Sequence, residues 1–396
     1  MANNKVKKKG GYWMDSLMFR TIVMGRAIDL HRNLANSLFP DRLSAEQLRV
    51  VRDSVLEMVE KTPGMLYGDS LFLRHGDAEF GLNAERLSSC GFITKSFMEH
   101  KSGAALVADG LDLIMRLNDE DHITFMKVTN GGESFKELWQ GVNSAAKALE
   151  KRLPFAKNAE YGYLASNPDN VGTGLRLACC FSFVGLYLMK EMDQVLRGLE
   201  RLGFEVRPMS VVGSGKDDDP IDAPGFCYKI SSTQTMGRPE EIVERADRIF
   251  AEVARQEQNA RLRLVQRRLF ELYDFLYRSV AVGAVALSIS ENEAIDILFA
   301  ILFGIDMSCL EASDDDFDNI FAMVVHPVQG GIAKAASDKV AKVPAPDEAL
   351  RMDRARKIRR IAKPFLDLCV KQIKELDKPS AKTSAKRVRV KRTNDK

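Results

Sequence analysis

The chain has 396 residues, of which 45% are hydrophobic and 29% are charged. This length allows two domains, and the composition excludes a disordered, collagen-like or membrane-bundle protein. The formal net charge of +3 is unevenly distributed, because residues 1–12 carry four lysines and residues 378–396 carry a net +7, which leaves −8 on the rest. The sequence therefore predicts an acidic globule with two basic ends. Such a globule binds a polyanion only where local arginines override its charge.

The cysteines and the apolar stretches exclude further classes. None of the six cysteines forms a CxxC pair or a Cys/His spacing typical of zinc, so we predict reduced thiols and no metal site. The longest apolar stretches, Ser279–Ile289 and Ala294–Ile305, are shorter than the roughly 20 residues that a spanning helix needs. No apolar run follows the N-terminal lysines. We therefore expect a cytoplasmic protein without a membrane contact.

The first half of the chain mixes predicted helices with predicted strands, after a flexible arm at its start. Leu43–Glu60 has the apolar spacing of a helix, and Ser44 with Gln47 three residues later predicts a capping box. Apolar runs at 113–117 and 123–128, separated by the sequence NDEDH, predict two strands joined by an acidic turn. The other predicted elements are a helix over Phe135–Leu153, strands over Gly162–Ala165 and Leu175–Phe183, and a helix over Met189–Leu202 closed by Gly203.

The second half is helical almost throughout. One very long amphipathic run extends from Glu240 to Ser279, and further helices are predicted at 290–304, 314–324 and 347–376. Mixed elements followed by helices alone predict two domains with a boundary near residue 255. The predicted division is a basic arm (1–12), a mixed domain (13–255), a helical domain (256–376) and a basic, disordered tail (377–396).

The most specific segment is Tyr163–Arg176, which reads YLASNPDNVGTGLR. A strand, a Pro/Asn/Gly turn and a second strand that opens with an arginine place backbone N–H groups and a guanidinium around an anion. The segment resembles the signature turn of the ATP:guanido phosphotransferases, the family of arginine and creatine kinases and of the bacterial protein-arginine kinases. Asn118–His122 resembles the acidic turn of that family, and Tyr228–Val243 is similar to the strand and helix start after its flexible loop.

The resemblance extends over roughly residues 13–360. Ile22–Leu34 is similar to the bacterial branch, and residues 255–360 resemble the helical domain of protein-arginine kinases. It implies an α+β fold with the glutamine-synthetase-like antiparallel sheet of guanido kinases, flanked by helices and followed by an all-helical domain that mediates homodimerisation.

The resemblance also implies a chemistry. Transfer of a γ-phosphoryl group to a guanidinium needs in-line positioning and positive charge, which arginines and Mg²⁺ supply. By position, Glu120 matches the catalytic carboxylate, and Arg176 and Arg207 match retained nucleotide-binding arginines. ATP and Mg²⁺ are the expected cofactors if the chain is active, and none is expected if it is not.

Several positions depart from the pattern of the family. Four of its arginine positions are occupied here by Ala27, Asp29, Thr124 and either Gly103 or Ala104. Asn167 stands at the position of the substrate-side cysteine. Because one such arginine contributes on the order of 10³–10⁵ in rate where it has been isolated, the losses predict a dismantled phosphate clamp.

Two basic residues lie beside the lost groups, and a second site is also incomplete. Arg26 and Lys216 are the candidate replacements for the clamp, although Arg26 is one residue out of phase in a strand and is expected on the opposite face. The phosphoarginine receptor of the family, Arg-Asp-x-x-Arg-Ala, has lost its leading pair here and keeps Arg354, with Arg351 nearby.

Three hypotheses follow. The first is a pseudokinase that forms a homodimer and acts as a partner or regulator, for example of an active kinase paralogue. The alternative is an active protein arginine kinase with a substituted phosphate clamp. The third, weakly supported, is that the basic tail binds nucleic acid, for which its sequence lacks interleaved aromatic residues.

Overall fold

The computed structural model describes residues 19–62, 71–74, 102–108, 113–129, 133–209, 224–324 and 347–376, together with residues 87, 92, 93 and 97. Within these residues, eight strands form one antiparallel sheet in the order β2-β3-β4-β5-β1-β8-β10-β9. The strands are β1 (Val23–Arg32), β2 (Leu71–Arg74), β3 (Ala104–Val107), β4 (Ile114–Leu117), β5 (Ile123–Thr129), β8 (Leu175–Ser182), β9 (Phe204–Pro208) and β10 (Cys227–Ser232). A separate hairpin pairs β6 (Lys157–Asn158) with β7 (Gly162–Tyr163).

Helices flank the sheet and make up the described C-terminal part of the chain. Those between the strands are α1 (Ala45–Glu60), α2 (Phe135–Glu150), α3 (Val184–Met189) and α4 (Met192–Arg201). Those after the last strand are α5 (Pro239–Arg267), α6 (Leu269–Val285), α7 (Glu291–Asp306), α8 (Asp314–Val324) and α9 (Asp347–Leu376). This arrangement confirms the predicted α+β class with a helical region after the sheet. None of the described helices is both long and apolar enough to cross a membrane.

Local sequence signals set the starts of several helices. Ser44 accepts a hydrogen bond from the Gln47 backbone, and Gln47 caps the Ser44 backbone in return, which confirms the predicted capping box of α1. Ser134 and Ser290 form equivalent boxes at the starts of α2 and α7. The two strands predicted around the acidic turn are also confirmed as β4 and β5.

Two predicted helices differ in their bounds from the structure. The helix predicted over Met189–Leu202 corresponds to α4, which begins at Met192, because Lys190 adopts a left-handed conformation with φ 63° and ends the preceding short helix α3 at Met189. The long run predicted from Glu240 to Ser279 breaks at Arg268, where φ is −137° and ψ is 41°. Amphipathic spacing continues through the break at Arg268, so apolar periodicity alone does not reveal it.

The two faces of the sheet have different surroundings. Even-numbered residues of β1, such as Ile28 and Leu30, are fully buried against α2 and α5 in the largest hydrophobic core, with Phe135 and Phe250. Odd-numbered residues of β1 lie on the opposite face. We call this second face the charged face and define it by Asp29, Arg116, Arg176, Arg207 and Lys229, which strand pairing and alternation place on the same side.

The helical region is joined to the sheet by a buried ionic network. Helix α5 runs without a break through residue 255, so the predicted domain boundary falls inside a continuous helix. The Arg261 side chain on α5 is fully buried; its Nε donates to Glu257 Oε1 at 2.7 Å, and its Nη1 donates to Thr21 Oγ1 at 2.7 Å and to Asp306 Oδ2 at 3.2 Å. Glu257 in turn accepts hydrogen bonds from the backbone N–H of Gly185 and Leu186 at the start of α3.

Candidate functional site on the charged face

Asp29 lies in the middle of the charged face, with charged residues on both sides. In the strand register it is opposite Arg176 of β8 and Met126 of β5. The Asp29 Oδ1 atom lies 3.9 Å from Arg116 Nη2, and Arg116 Nη1 lies 2.9 Å from Asp119 Oδ2. A carboxylate therefore stands between two guanidinium-bearing strands, at a position where the family resemblance implies an arginine.

Arg26 points to the other side of the sheet. It is fully buried against α2, and its Nη1 donates to the Glu133 carbonyl oxygen at 2.6 Å. Burial lowers the pKa of its guanidinium, an effect opposed by nearby Cys179 and Asp247. Strand alternation predicts this orientation, because Arg26 and Asp29 are three residues apart. Ala27 shares the face of Asp29 and is buried. Lys216, the other candidate replacement, lies outside the described residues.

Arg207 lies at the edge of the charged face, on β9. Its Nε donates to Glu205 Oε1 at 2.7 Å, and its side chain is mostly exposed. In the strand register it is opposite Lys229 of β10. Arg207 is thus paired with a carboxylate on its own strand.

The acidic turn between β4 and β5 places Glu120 next to the signature segment. Glu120 Oε1 accepts a hydrogen bond from Asn167 Nδ2 at 2.9 Å, and Oε2 accepts one from Asn170 Nδ2 at 3.2 Å. Asn167 also accepts from the Asp169 backbone N–H at 3.0 Å, as the cap of a short 3-10 turn. The structure therefore brings together two predicted site residues, Glu120 and Asn167, that are 47 positions apart in sequence.

Asp121 holds the acidic turn in place through buried hydrogen bonds. Its Oδ1 accepts hydrogen bonds from Asn33 Nδ2 at 2.6 Å and from the Ser166 backbone N–H at 2.7 Å, and its Oδ2 lies 3.1 Å from His31 Nδ1. Burial disfavours ionisation of Asp121, but the hydrogen bonds from His31 and Ser166 outweigh burial and lower its pKa. The turn is therefore held to β1 and to the signature segment by an ionised carboxylate.

His122 is buried inside the turn. Its Nδ1 accepts a hydrogen bond from the Leu34 backbone N–H at 3.2 Å. Burial lowers the pKa of His122 to about 4, although Asp121 opposes that effect. The next strand begins at Ile123, and Thr124 lies on the charged face with its Oγ1 3.4 Å from His31 Nδ1.

Arg351 and Arg354 have structural contacts in the helical region. Arg354 Nη1 donates to the Ile289 carbonyl oxygen at 2.9 Å, and its Nη2 lies 3.1 Å from Glu291 Oε1. The Arg351 carbonyl oxygen accepts a hydrogen bond from the Ile289 backbone N–H at 3.3 Å. These contacts join α9 to the start of α7, and Arg354 is buried.

Sequence reasoning missed three residues of the site: His31, Arg116 and Asn170. Their partners lie 90, 87 and 50 positions away, respectively, in the pairs His31–Asp121, Arg116–Asp29 and Asn170–Glu120. The one sequence signal that could have pointed to His31 is strand alternation, which places it on the same face as Asp29. No metal site was predicted, yet ligand atoms of His31, Glu120 and Asp121 lie within 4.8 Å of one another.

The residues of the charged face do not fit a triphosphate well. A triphosphate with its metal ion needs a converging group of cations. Here Asp29 occupies the centre, Arg116 is engaged by two carboxylates, and Arg207 is paired with Glu205. Arg176 and Lys229 are the remaining basic residues of this face in the described part of the chain.

Comparisons with known proteins agree with this fold. Residues 74–260 match the family described as ATP:guanido phosphotransferase, C-terminal catalytic domain. The protein-arginine kinase of Shouchella clausii (strain KSM-K16) is 30% identical over 292 residues, covering 73% of this chain and 79% of that relative. The protein-arginine kinase of Clostridium novyi (strain NT) is 26% identical over 324 residues, covering 81% of this chain and 91% of that relative.

The fold also has a solved counterpart. The substrate-free duplicated taurocyamine kinase from Schistosoma mansoni superimposes with a TM-score of 0.50 and 15% identity, over 74% of this chain and 41% of that duplicated chain. The sheet and the acidic turn thus define a guanido-kinase fold. The chain belongs to the ATP:guanido phosphotransferase family, and its sequence is similar to those of bacterial protein-arginine kinases.

Proposed function

We propose that this member of the family is a pseudokinase, impaired in phosphoryl transfer, that acts as a partner or regulator of another protein. The observation that supports the proposal is the position of Asp29, opposite Arg176 and 3.9 Å from Arg116 on the charged face. A carboxylate there repels a phosphate and also neutralises a guanidinium that would otherwise attract one.

The energetic cost to nucleotide binding is large. Two like unit charges 4 Å apart repel by about 4 kcal/mol at an effective dielectric constant near 20. Because Ala27 and Thr124 add no positive charge, Arg176, Arg207 and Lys229 would have to hold the polyanion. Glu205 offsets part of that charge through its ion pair with Arg207.

The alternative, an active kinase with a substituted clamp, depends on Arg26 and Lys216. Arg26 is buried on the opposite face with a hydrogen bond to Glu133. It could contact a phosphate on the charged face only if β1 shifted its register by one residue. The position of Arg26 therefore disfavours this alternative.

The remaining parts of the proposal concern assembly and location. We propose a cytoplasmic homodimer formed through the helical region after α5, by analogy with the protein-arginine kinases that the chain resembles. The expected partner is an active guanido kinase or another protein. If the chain retained activity, ATP and Mg²⁺ would be its cofactors.

Two measurements on the wild-type chain and Glu120→Gln test the loss of activity. The first follows the melting temperature as Mg-ATP is raised to several millimolar, since a ligand that binds the folded state stabilises it. The second follows transfer of labelled phosphate from ATP to an arginine-rich test protein. We expect no transfer above background by either chain. Transfer by the wild type that Glu120→Gln abolishes would overturn the proposal.

The regulatory role has its own experiment. The chain is mixed with an active protein-arginine kinase, and the rate of arginine phosphorylation by that kinase is measured as the ratio is raised. We expect the rate to change at least about twofold near equimolar ratio. An unchanged rate, together with independent elution of the two proteins, would exclude a direct effect on such a kinase.

A further inference from the structure

The acidic turn brings one histidine and two carboxylates together. Ligand atoms of His31, Glu120 and Asp121 lie within 4.8 Å of one another. An imidazole and two carboxylates form a donor set that Zn²⁺ accepts, as does its spectroscopic substitute Co²⁺. We propose that these three residues form a binding site for a divalent transition metal, best matched by Zn²⁺, that is filled without nucleotide. This inference does not depend on the proposed loss of phosphoryl transfer.

His31 and Asp121 already have the spacing of neighbouring ligands. His31 Nδ1 and Asp121 Oδ2 are 3.1 Å apart. Two ligand atoms with bonds of about 2.1 Å to one ion are separated by about 3.0 Å in octahedral geometry and about 3.4 Å in tetrahedral geometry. When an ion binds between them, Nδ1 is the ligand atom and the neutral imidazole carries its proton on Nε2. Neither side chain has to move far to accept the ion.

Both residues are held rigidly by the fold. His31 is 6% exposed, and its backbone N–H donates to the Gly174 carbonyl oxygen at 2.8 Å. Asp121 is fully buried, and its other oxygen accepts hydrogen bonds from Asn33 and Ser166. Hydrogen bonds of this kind orient metal ligands and strengthen binding. Two ligands are therefore preorganised before the ion arrives.

Glu120 completes the site from the solvent side. Its two oxygens accept hydrogen bonds from Asn167 and Asn170, and each carboxylate oxygen retains a second acceptor direction. Three protein ligands with remaining positions open to water are the arrangement of an accessible zinc site. Because Glu120 is exposed, the ion can enter from solvent.

The charge around the cluster favours a cation. Glu120 and Asp121 supply two negative charges, and no lysine or arginine forms an ion pair with either of them within the described parts of the chain. Thr124, which lies beside His31, has a hydroxyl where the family resemblance implies an arginine. The substitution that weakens an anion site thus removes a repulsive charge from a cation site.

Titration of the metal-free full chain with Zn²⁺, in the absence of nucleotide, tests the proposal. We expect one ion per chain by calorimetry, and at least about tenfold weaker binding by Glu120→Gln and His31→Ala. Glu348→Gln, which makes the same change at an exposed glutamate of α9, is the matched control and should bind as the wild type does. Co²⁺ is the second probe, and its spectrum should lack a thiolate band because all three ligands are nitrogen or oxygen.

The cysteines are the main competing sites. Wild-type affinity in Glu120→Gln, or a Co²⁺ spectrum with a thiolate band that persists in that variant, would overturn the proposal. Because Glu120 is exposed, its substitution leaves the fold intact, and this variant decides the question even if His31→Ala is unstable. Circular dichroism verifies the fold of each variant.

Discussion

Asp29 on β1 lies directly opposite Arg176 on β8, yet it is Arg116 on β4 whose guanidinium lies 3.9 Å from the Asp29 carboxylate. Asp29 thus has an arginine on each side. Arg176 is on the strand next to β1, and Arg116 is two strands away on the other side of β1. This relationship places a negative charge at a position where the family resemblance implies an arginine, and it leads to the first prediction.

Asp29→Arg should strengthen Mg-ATP binding, because it exchanges a repulsive charge for an attractive one beside Arg176. We expect the Kd for Mg-ATP to fall at least about tenfold, which corresponds to about 1.4 kcal/mol of binding free energy. This free energy is smaller than the Coulomb energy of such a change in charge. The melting temperature measured against Mg-ATP concentration gives the affinity. Asp367→Arg, an equal change of charge on the exposed surface of α9, is the control. Equal effects of the two variants would show that the charge at position 29 has no special role.

Arg261→Met should destabilise the protein by about 3–5 kcal/mol, because it leaves Glu257 and Asp306 as buried, uncompensated carboxylates. Urea unfolding measures the free energy. The matched variant is Arg263→Met on the same helix, which breaks a half-exposed ion pair with Glu191 and should cost about 1 kcal/mol or less. Similar losses in the two variants would contradict the importance of the buried network.

His122 should make the protein less stable in mild acid. Its pKa is about 4 in the folded chain against 6.5 in the unfolded one, so between these values the unfolded state binds more protons. This contribution is fully present above pH 6.5 and is lost as the pH falls towards 4. Between pH 7.5 and 5.0 it corresponds to a loss of about 2 kcal/mol.

The variant His122→Asn tests this dependence, because its amide oxygen can accept the Leu34 hydrogen bond but does not titrate. Urea unfolding at pH 7.5 and 5.0 gives the free energy of unfolding at each pH. The decrease in this free energy should be smaller by about 2 kcal/mol in the variant than in the wild type. His31 and Asp121 are present in both chains and cancel in the comparison. An identical pH dependence would mean that His122 is not the titrating group.

Arg354→Ala should behave as a structural variant. It removes a buried hydrogen bond to Ile289 and an ion pair with Glu291, at a cost of about 2 kcal/mol. The exposed Arg356→Ala, two positions away, should cost less than about 0.5 kcal/mol. Free phosphoarginine should leave the melting temperature of the wild type unchanged. A shift in the wild type that Arg354→Ala abolishes would instead indicate a working receptor.

Much of the fold follows from local sequence signals. The capping box of α1, the strands on either side of the acidic turn and the C-terminal helices were predicted close to their observed bounds, because the side chains that specify them lie within a few residues. The break at Arg268 was missed, since the amphipathic pattern continues across it, and the short helix α3 was not predicted.

The candidate site divides in the same way. The sequence by itself determined the family. It also predicted the site carboxylate Glu120 and an aspartate, Asp29, where the resemblance implies an arginine, because each is a matter of residue type within a short motif. It also determined that Arg26 faces away from Asp29, through the alternation of a strand.

Only the tertiary structure decided what these residues meet. The pairing of Asp29 with Arg116, of Glu120 with Asn170, and of His31 with Asp121 joins positions 50 to 90 apart. Such contacts depend on strand order and register, which long-range packing of the sheet against its helices fixes and which no short motif encodes.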